Sequence, residues 1–123
     1  MIYDDAFYCC VKLDSITLPD KIIYTGEYSF CDCINLHTVH VGSNLVTIES
    51  ATFSGCHNLK NITLNEGLQK INSFGFSRCK HLSDIKLPST LLFIGYGAFE
   101  DCSALETVIL PDSIQRITDE AFS

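Results

Sequence analysis

A β-rich solenoid of about five stacked repeats is the fold this 123-residue chain predicts. Three observations carry that prediction. Phenylalanine recurs every 23 residues, at Phe7, Phe30, Phe53, Phe76, Phe99 and Phe122, with only Phe74 and Phe93 off the ladder. Cysteine keeps the same step at Cys10, Cys33, Cys56, Cys79 and Cys102. Between the two ladders lies an L-x-x-I-x-L segment whose apolar residues alternate at the period of a strand.

The first leucine column does not vary within the chain (Leu13, Leu36, Leu59, Leu82, Leu105), and the next is always β-branched (Ile16, Val39, Ile62, Ile85, Val108). Two residues later comes Leu18, Val41, Leu64, Leu87 or Leu110. β-Branched residues favour the extended backbone, so this piece reads as a short strand. Pro19, Pro88 and Pro111, with Gly42 and Asn65 in the same column, close it with a bend. Ile22, Leu45, Leu68, Leu91 and Ile114 follow, then Thr25, Ile48, Ile71, Ile94 and Ile117, which predict a second extended piece on the opposite side.

The remaining A-F-x-x-C stretch is too short for an independent helix, and a single helical or 3₁₀ turn is expected to aim Phe and Cys inward. A small residue precedes Phe in each copy (Ala6, Ser29, Thr52, Gly75, Ala98, Ala121), as close backbone packing requires. Each unit then supplies about seven inward side chains, which bury a core only when neighbouring units stack on both sides.

L-x-x-I-x-L-P joined to I-x-x-x-A-F-x-x-C at a 23-residue step resembles the BspA-like (Treponema-type) leucine-rich repeat, over Ile2 to Ser123. The resemblance implies a leucine-rich repeat solenoid of the α/β horseshoe class, β-rich, with short strands joined by single helical or 3₁₀ turns. The better-known leucine-rich repeat places Asn or Cys nine residues after the first Leu, where this chain has Ile22, Leu45, Leu68, Leu91 and Ile114, so no asparagine ladder is expected. Thr25 in an isoleucine column and Val41-Gly42 in the Leu-Pro columns are the weak points of the pattern.

Composition narrows function. A hydrophobic fraction of 46% supplies a core and excludes global disorder. With 15 acidic against 8 basic residues, a net charge of −7 and no basic stripe, a nucleic-acid partner is not expected. Apolar runs are too short for a membrane-spanning helix. The opening Met-Ile-Tyr-Asp-Asp carries acid where an export signal needs base. Ile2 already occupies an interior position, Ser123 closely follows the start of a new unit, and neither end has a polar cap. Residues 1–123 are therefore expected to form one leucine-rich repeat domain that is a fragment of a longer array, or a remnant that self-associates end to end. Compartment stays open: cell surface or secreted if a parent protein carries a signal peptide, otherwise cytoplasmic.

No catalytic constellation, Gly-rich phosphate loop, nucleophile elbow or H-E-x-x-H helix occurs, and no cofactor or metal is expected. The ladder cysteines predict buried free thiols, because stacked equivalent residues lie about 5 Å apart with parallel Cβ vectors, unsuited to disulfides. Cys9 and Cys31, outside the ladder on adjacent turns, are the one candidate pair for a disulfide; a zinc site from Cys9, Cys10, Cys31 and Cys33 would need two core-facing residues. His57 and His81 follow ladder cysteines that face inward and read as solvated turn residues. His37 and His40 lack carboxylate neighbours for a metal site. Asn61-Ile62-Thr63 matches a glycosylation sequon.

What remains is surface. In this arrangement the x positions of L-x-x-I-x-L point outward in rows: Asp14, Ser15, Thr17, His37, Thr38, His40, Lys60, Asn61, Thr63, Ser83, Asp84, Lys86, Glu106, Thr107 and Ile109. They form the candidate protein-binding face, large enough for most of one side of a standard interface. A competitor lies opposite, where Ile23, Tyr24, Val46, Leu92 and Phe93 occupy columns expected to be exposed. The expected role is a non-enzymatic protein-interaction module, for which the resemblance implies adhesion or host and cell-surface binding. The alternative is a structural spacer within a larger multidomain protein.

Overall fold

The Phe-Cys corner sets the pitch of the molecule. In the computed structural model, which describes Met1 to Ser123, the six ladder phenylalanines stack ring on ring at centroid separations of 5.1–5.5 Å and within 15° of parallel. Phe30, Phe53, Phe76 and Phe99 are completely buried, whereas Phe7 and Phe122 at the ends of the stack are 38% and 41% exposed. Each stacked aromatic pair contributes about 0.5–1.5 kcal/mol beyond the area it buries.

Seven strands run parallel in two narrow sheets on different sides of this core. The first has β1 (Ser15–Thr17), β2 (Thr38–His40) and β4 (Asn61–Thr63) in the order β1-β2-β4. The second has β3 (Thr47–Ile48), β5 (Lys70–Ile71), β6 (Phe93–Ile94) and β7 (Arg116–Ile117) in the order β3-β5-β6-β7. The register keeps the sequence step, with Ile16 opposite Val39 opposite Ile62 and Ile48 opposite Ile71 opposite Ile94. A lone bridge between Tyr24 and Thr47 extends the second sheet by one position.

The expected 3₁₀-type turn is present only as isolated single turns that do not propagate, and the chain contains no helix. The reason is visible in the alternation of its amides. Thr52, Ser54 and Cys56 donate to carbonyls three residues back (Glu49, Ala51, Phe53), as in a 3₁₀ turn. Ala51, Phe53 and Gly55 instead donate to Ser73, Gly75 and Ser77 of the next unit, at 2.8–2.9 Å. A residue in the left-handed region at every fourth position makes this possible: Asp5, Tyr28, Ala51, Phe74, Gly97 and Glu120 in one column, Cys9, Asp32, Gly55, Arg78 and Asp101 in the other. Nine of these carry side chains at φ 54–60°, a conformation that costs about 1–2 kcal/mol each and persists only because the stacking fixes it.

A second departure concerns the first sheet. The equivalent segments Asp84 to Lys86 and Thr107 to Ile109 are not paired strands, and no amide from Asp84 to Leu87 or from Thr107 to Leu110 finds a backbone acceptor. Ile85 and Leu87 remain buried, whereas in the last turn Val108 is half-buried and Leu110 is exposed. Of 65 backbone hydrogen bonds only 6 lie within strands, so the turns and the bonds between turns carry the array.

Both weak points of the repeat have local explanations. Thr25 is fully buried; its hydroxyl accepts the Glu49 amide at 3.0 Å and lies 2.7 Å from Thr52 Oγ1, whose other partners are the Glu49 and Gly26 carbonyls. A polar pair thus replaces an isoleucine, and all its groups are bonded. Gly42 stands in the proline column because a Cβ there would lie 2.7 Å from the carbonyl of Pro19 in the preceding turn. Asp20, next to Pro19, accepts the Ser43 amide at 2.8 Å, a bond that holds its carboxyl below the usual pKa.

Candidate protein-binding surface

On the first sheet the central β-branched column turns inward and its neighbours turn out, as alternation in an extended chain dictates. Val39, Ile62 and Ile85 are buried, and fourteen of the fifteen expected face residues are exposed, Thr38 alone being half-buried. The step of one turn, fixed by the Phe stack, aligns them into rows: Asp14, His37, Lys60, Ser83 and Glu106 in one, Thr17, His40, Thr63, Lys86 and Ile109 in another. Ile109 is the most exposed large apolar residue of the chain at 83%.

The face divides into two concave parts. Over the first three turns, Lys12, Asp14, Asn35, His37, Asn58 and Lys60, with Val11, line an open polar groove of about 680 Å³. Asn35 Nδ2 donates to the Val11 carbonyl and His37 Nδ1 lies 3.0 Å from the Asn35 carbonyl. Over the last two turns, where the sheet pairing has lapsed, a groove of about 570 Å³ runs past Glu66, Asp84, Lys86, Ser89, Thr107 and Ile109. Serine 89 closes one rim by donating its hydroxyl to Glu66 Oε2 at 2.7 Å. Lys12, Asn35 and Asn58 were absent from the sequence-derived face, since they precede the strand. Their column, beside the unvarying leucine, was the available signal.

The opposite apolar columns are less open than expected. Ile23 and Val46 are 53% and 38% exposed, but Tyr24, Leu92 and Phe93 are half-buried. Phe93 lies in register between Lys70 and Arg116 on adjacent strands, so that patch is interrupted by charge.

The thiols have a structural task. Cys33, Cys56, Cys79 and Cys102 are buried, and each donates its S–H to the carbonyl of the phenylalanine in the preceding turn (Phe7, Phe30, Phe53, Phe76) at 3.1–3.2 Å. Burial pushes Cys33 and Cys102 up to about 11 and Cys56 and Cys79 well above the ordinary thiol range, which suppresses nucleophilic thiolate. Cys10, in the first turn, is only partly covered. All seven cysteines are free; the Cys9 amide donates to the Cys31 carbonyl at 2.8 Å, and burial raises the Cys31 thiol to about 11. No three His, Cys, Asp or Glu side chains converge as metal ligands. No helix is long and apolar enough to cross a membrane.

Nearby, Asp32 of one turn pairs with Arg78 two turns on at 3.3 Å, crossing Gly55 in the turn between. A side chain at Gly55 would collide with the Asp32 carboxylate, and its φ of 74° also favours glycine. This is the sole side-chain ion pair, and both partners are partly exposed, so its contribution is modest.

The family model described as the BspA type leucine-rich repeat region matches residues 1–123 in 6 copies. The chain belongs to the BspA-type leucine-rich repeat family. Solved leucine-rich repeat structures superpose on it closely. A leucine-rich repeat protein from T. pallidum has a TM-score of 0.87 at 35% identity, covering 89% of this chain and 51% of its own. One from Eubacterium ventriosum has 0.83 at 32%, covering 89% and 30%. A leucine-rich cell surface protein from Faecalibacterium prausnitzii has 0.88 at 30%, covering 99% and 34%. The chain spans about half the length of the first and about a third of the other two. No curated protein matches the chain.

Proposed function

We propose that this BspA-type array is a non-enzymatic protein-interaction module that engages a protein partner through its first-sheet face. One observation supports the reading most directly: the residues that vary between repeats, Asp14 to Ile109, stand exposed in aligned rows while the repeating columns are consumed by the core. Variation is thus concentrated where a partner can touch it, on a backbone held rigid from behind. The similarity to a Faecalibacterium prausnitzii protein described as a cell surface protein supports a place at the cell surface, where the role we propose is adhesion. The competing reading is a spacer that binds nothing.

Capture of a defined set of extracellular-matrix and cell-surface proteins on the immobilised chain tests this. The triple variant His40→Glu, Thr63→Glu, Lys86→Glu is expected to abolish saturable binding, with its unfolding midpoint unchanged. Loss of binding in Leu92→Ser with Phe93→Ser instead would move the site to the opposite sheet, and absence of any saturable binding would favour the spacer.

A further inference from the structure

The polar groove of the first three turns has a charge opposite to that of the chain as a whole. Two lysines and one aspartate line it, in a protein of net charge −7. Neither lysine has an intramolecular partner, since Asp32 and Arg78 form the sole ion pair and neither lysine side chain makes a hydrogen bond. Unpaired cations in a concavity keep their full capacity for an incoming anion, without having to break an existing bond first.

The lysines are two turns apart. The Phe7-Phe30 and Phe30-Phe53 steps are 5.1 and 5.5 Å, so Lys12 and Lys60 are separated by about 10 Å along the solenoid axis. They differ by two positions along the chain path, an offset that flexible lysine stems span. A polyproline II segment advances about 3.1 Å per residue with three residues per turn, which places side chains three residues apart on one face about 9 Å from each other. The floor between the cations offers amide chemistry suited to a peptide backbone. Asn35 Nδ2 is committed to the Val11 carbonyl, which leaves its Oδ1 to accept a peptide N–H. Asn58 has no side-chain partner within the chain, and His37 Nε2 is likewise free because Nδ1 is held by the Asn35 carbonyl.

We propose that this groove binds an acidic peptide segment in polyproline II conformation, with two carboxylates three residues apart seated on Lys12 and Lys60. The inference rests on the reading of the first-sheet face as a protein-binding surface and names the chemistry of the partner. Asp14, beside Lys12 in the groove, opposes the ligand and limits its affinity.

Fluorescence anisotropy with a labelled proline-rich hexapeptide carrying glutamates at its second and fifth positions tests the proposal. Saturable binding should weaken with added salt and weaken by roughly two- to fivefold in each of Lys12→Gln and Lys60→Gln, as for solvent-exposed ion pairs. Asp14→Asn should tighten it by a similar factor. Peptides with adjacent glutamates or with glutamines in their place should bind more weakly. Equal binding of the glutamine peptide, still lost in the His40, Thr63, Lys86 triple variant, would overturn the acidic specificity and leave the face intact as a binding surface. Binding indifferent to Lys12 and Lys60 but lost in Leu92→Ser with Phe93→Ser would overturn both readings. Tighter retention of a sulfated glycan than of the acidic peptide, dependent on the same lysines, would assign the groove to a carbohydrate and also overturn the proposal.

Discussion

The Phe-Cys corner and the first-sheet face are made by the same 23-residue step, yet they hold together to different degrees. At the corner, stacked rings and turn-to-turn amide bonds recur along the array, and thiol donors recur from Cys33 to Cys102. On the face, parallel pairing joins β1, β2 and β4 and then lapses for Asp84 to Lys86 and Thr107 to Ile109. The array keeps its pitch across that lapse, since the Phe76-Phe99 and Phe99-Phe122 steps remain 5.4 and 5.2 Å. The corner is therefore the spine, and the face is free to vary in sequence and in local pairing without loss of the fold.

That contrast is open to direct attack. Phe53→Ala should cost about 3–5 kcal/mol in denaturant unfolding, because it removes a fully buried ring with a ring on each side. Ile62→Ala, a buried face residue beside the sheet's open edge, should cost toward the lower end of the 2–5 kcal/mol range for such truncations. Equal losses would remove the distinction between spine and face.

An effect of pH is also expected. Cys31, Cys33 and Cys102 are held at about 11 in the folded chain by burial, against 9.0 for an ordinary thiol. As pH rises past 9 the unfolded chain loses these protons first, so it binds fewer protons than the native state and stability falls. The contribution is whole below about pH 9 and is lost between pH 9 and 11. Urea midpoints should drop between pH 8 and pH 10.5, and the drop should shrink in Cys79→Ala, whose thiol burial also raises well above the ordinary range. An unchanged midpoint would mean the corner opens to water.

The finest test reads single amides. Hydrogen exchange should be slow at Phe53 and Phe76, which donate to Gly75 and Ala98 at 2.9 and 2.8 Å, and near the unprotected rate from Asp84 to Leu87, which have no backbone acceptor. Protection of the latter would show the first sheet to be continuous through the fourth turn.

The stacking register was legible because Phe and Cys columns are consumed by the core and so repeat without exception, and the outward direction of Asp14 to Ile109 followed from alternation around a β-branched column. Other features left no compositional mark. Ala51, Phe74 and Arg78 are ordinary residues at left-handed positions, where only Gly55 and Gly97 hint at the backbone. The turn expected from A-F-x-x-C does not propagate as a helix because the neighbouring turn, which the sequence of one unit does not show, captures every second amide. The ladder cysteines read as small hydrophobes, and their S–H donation to phenylalanine carbonyls required knowing which carbonyl lay 26 residues back in the chain.

The sequence by itself determined the period and the inward columns, because periodic burial is written directly in residue type. Tertiary structure alone decided where amides alternate between local and neighbouring acceptors, where sheet pairing ends, and that Lys12, Asn35, His37, Asn58 and Lys60 share one groove. These depend on distances between turns, which arise when the chain stacks and which residue identities within one turn do not encode.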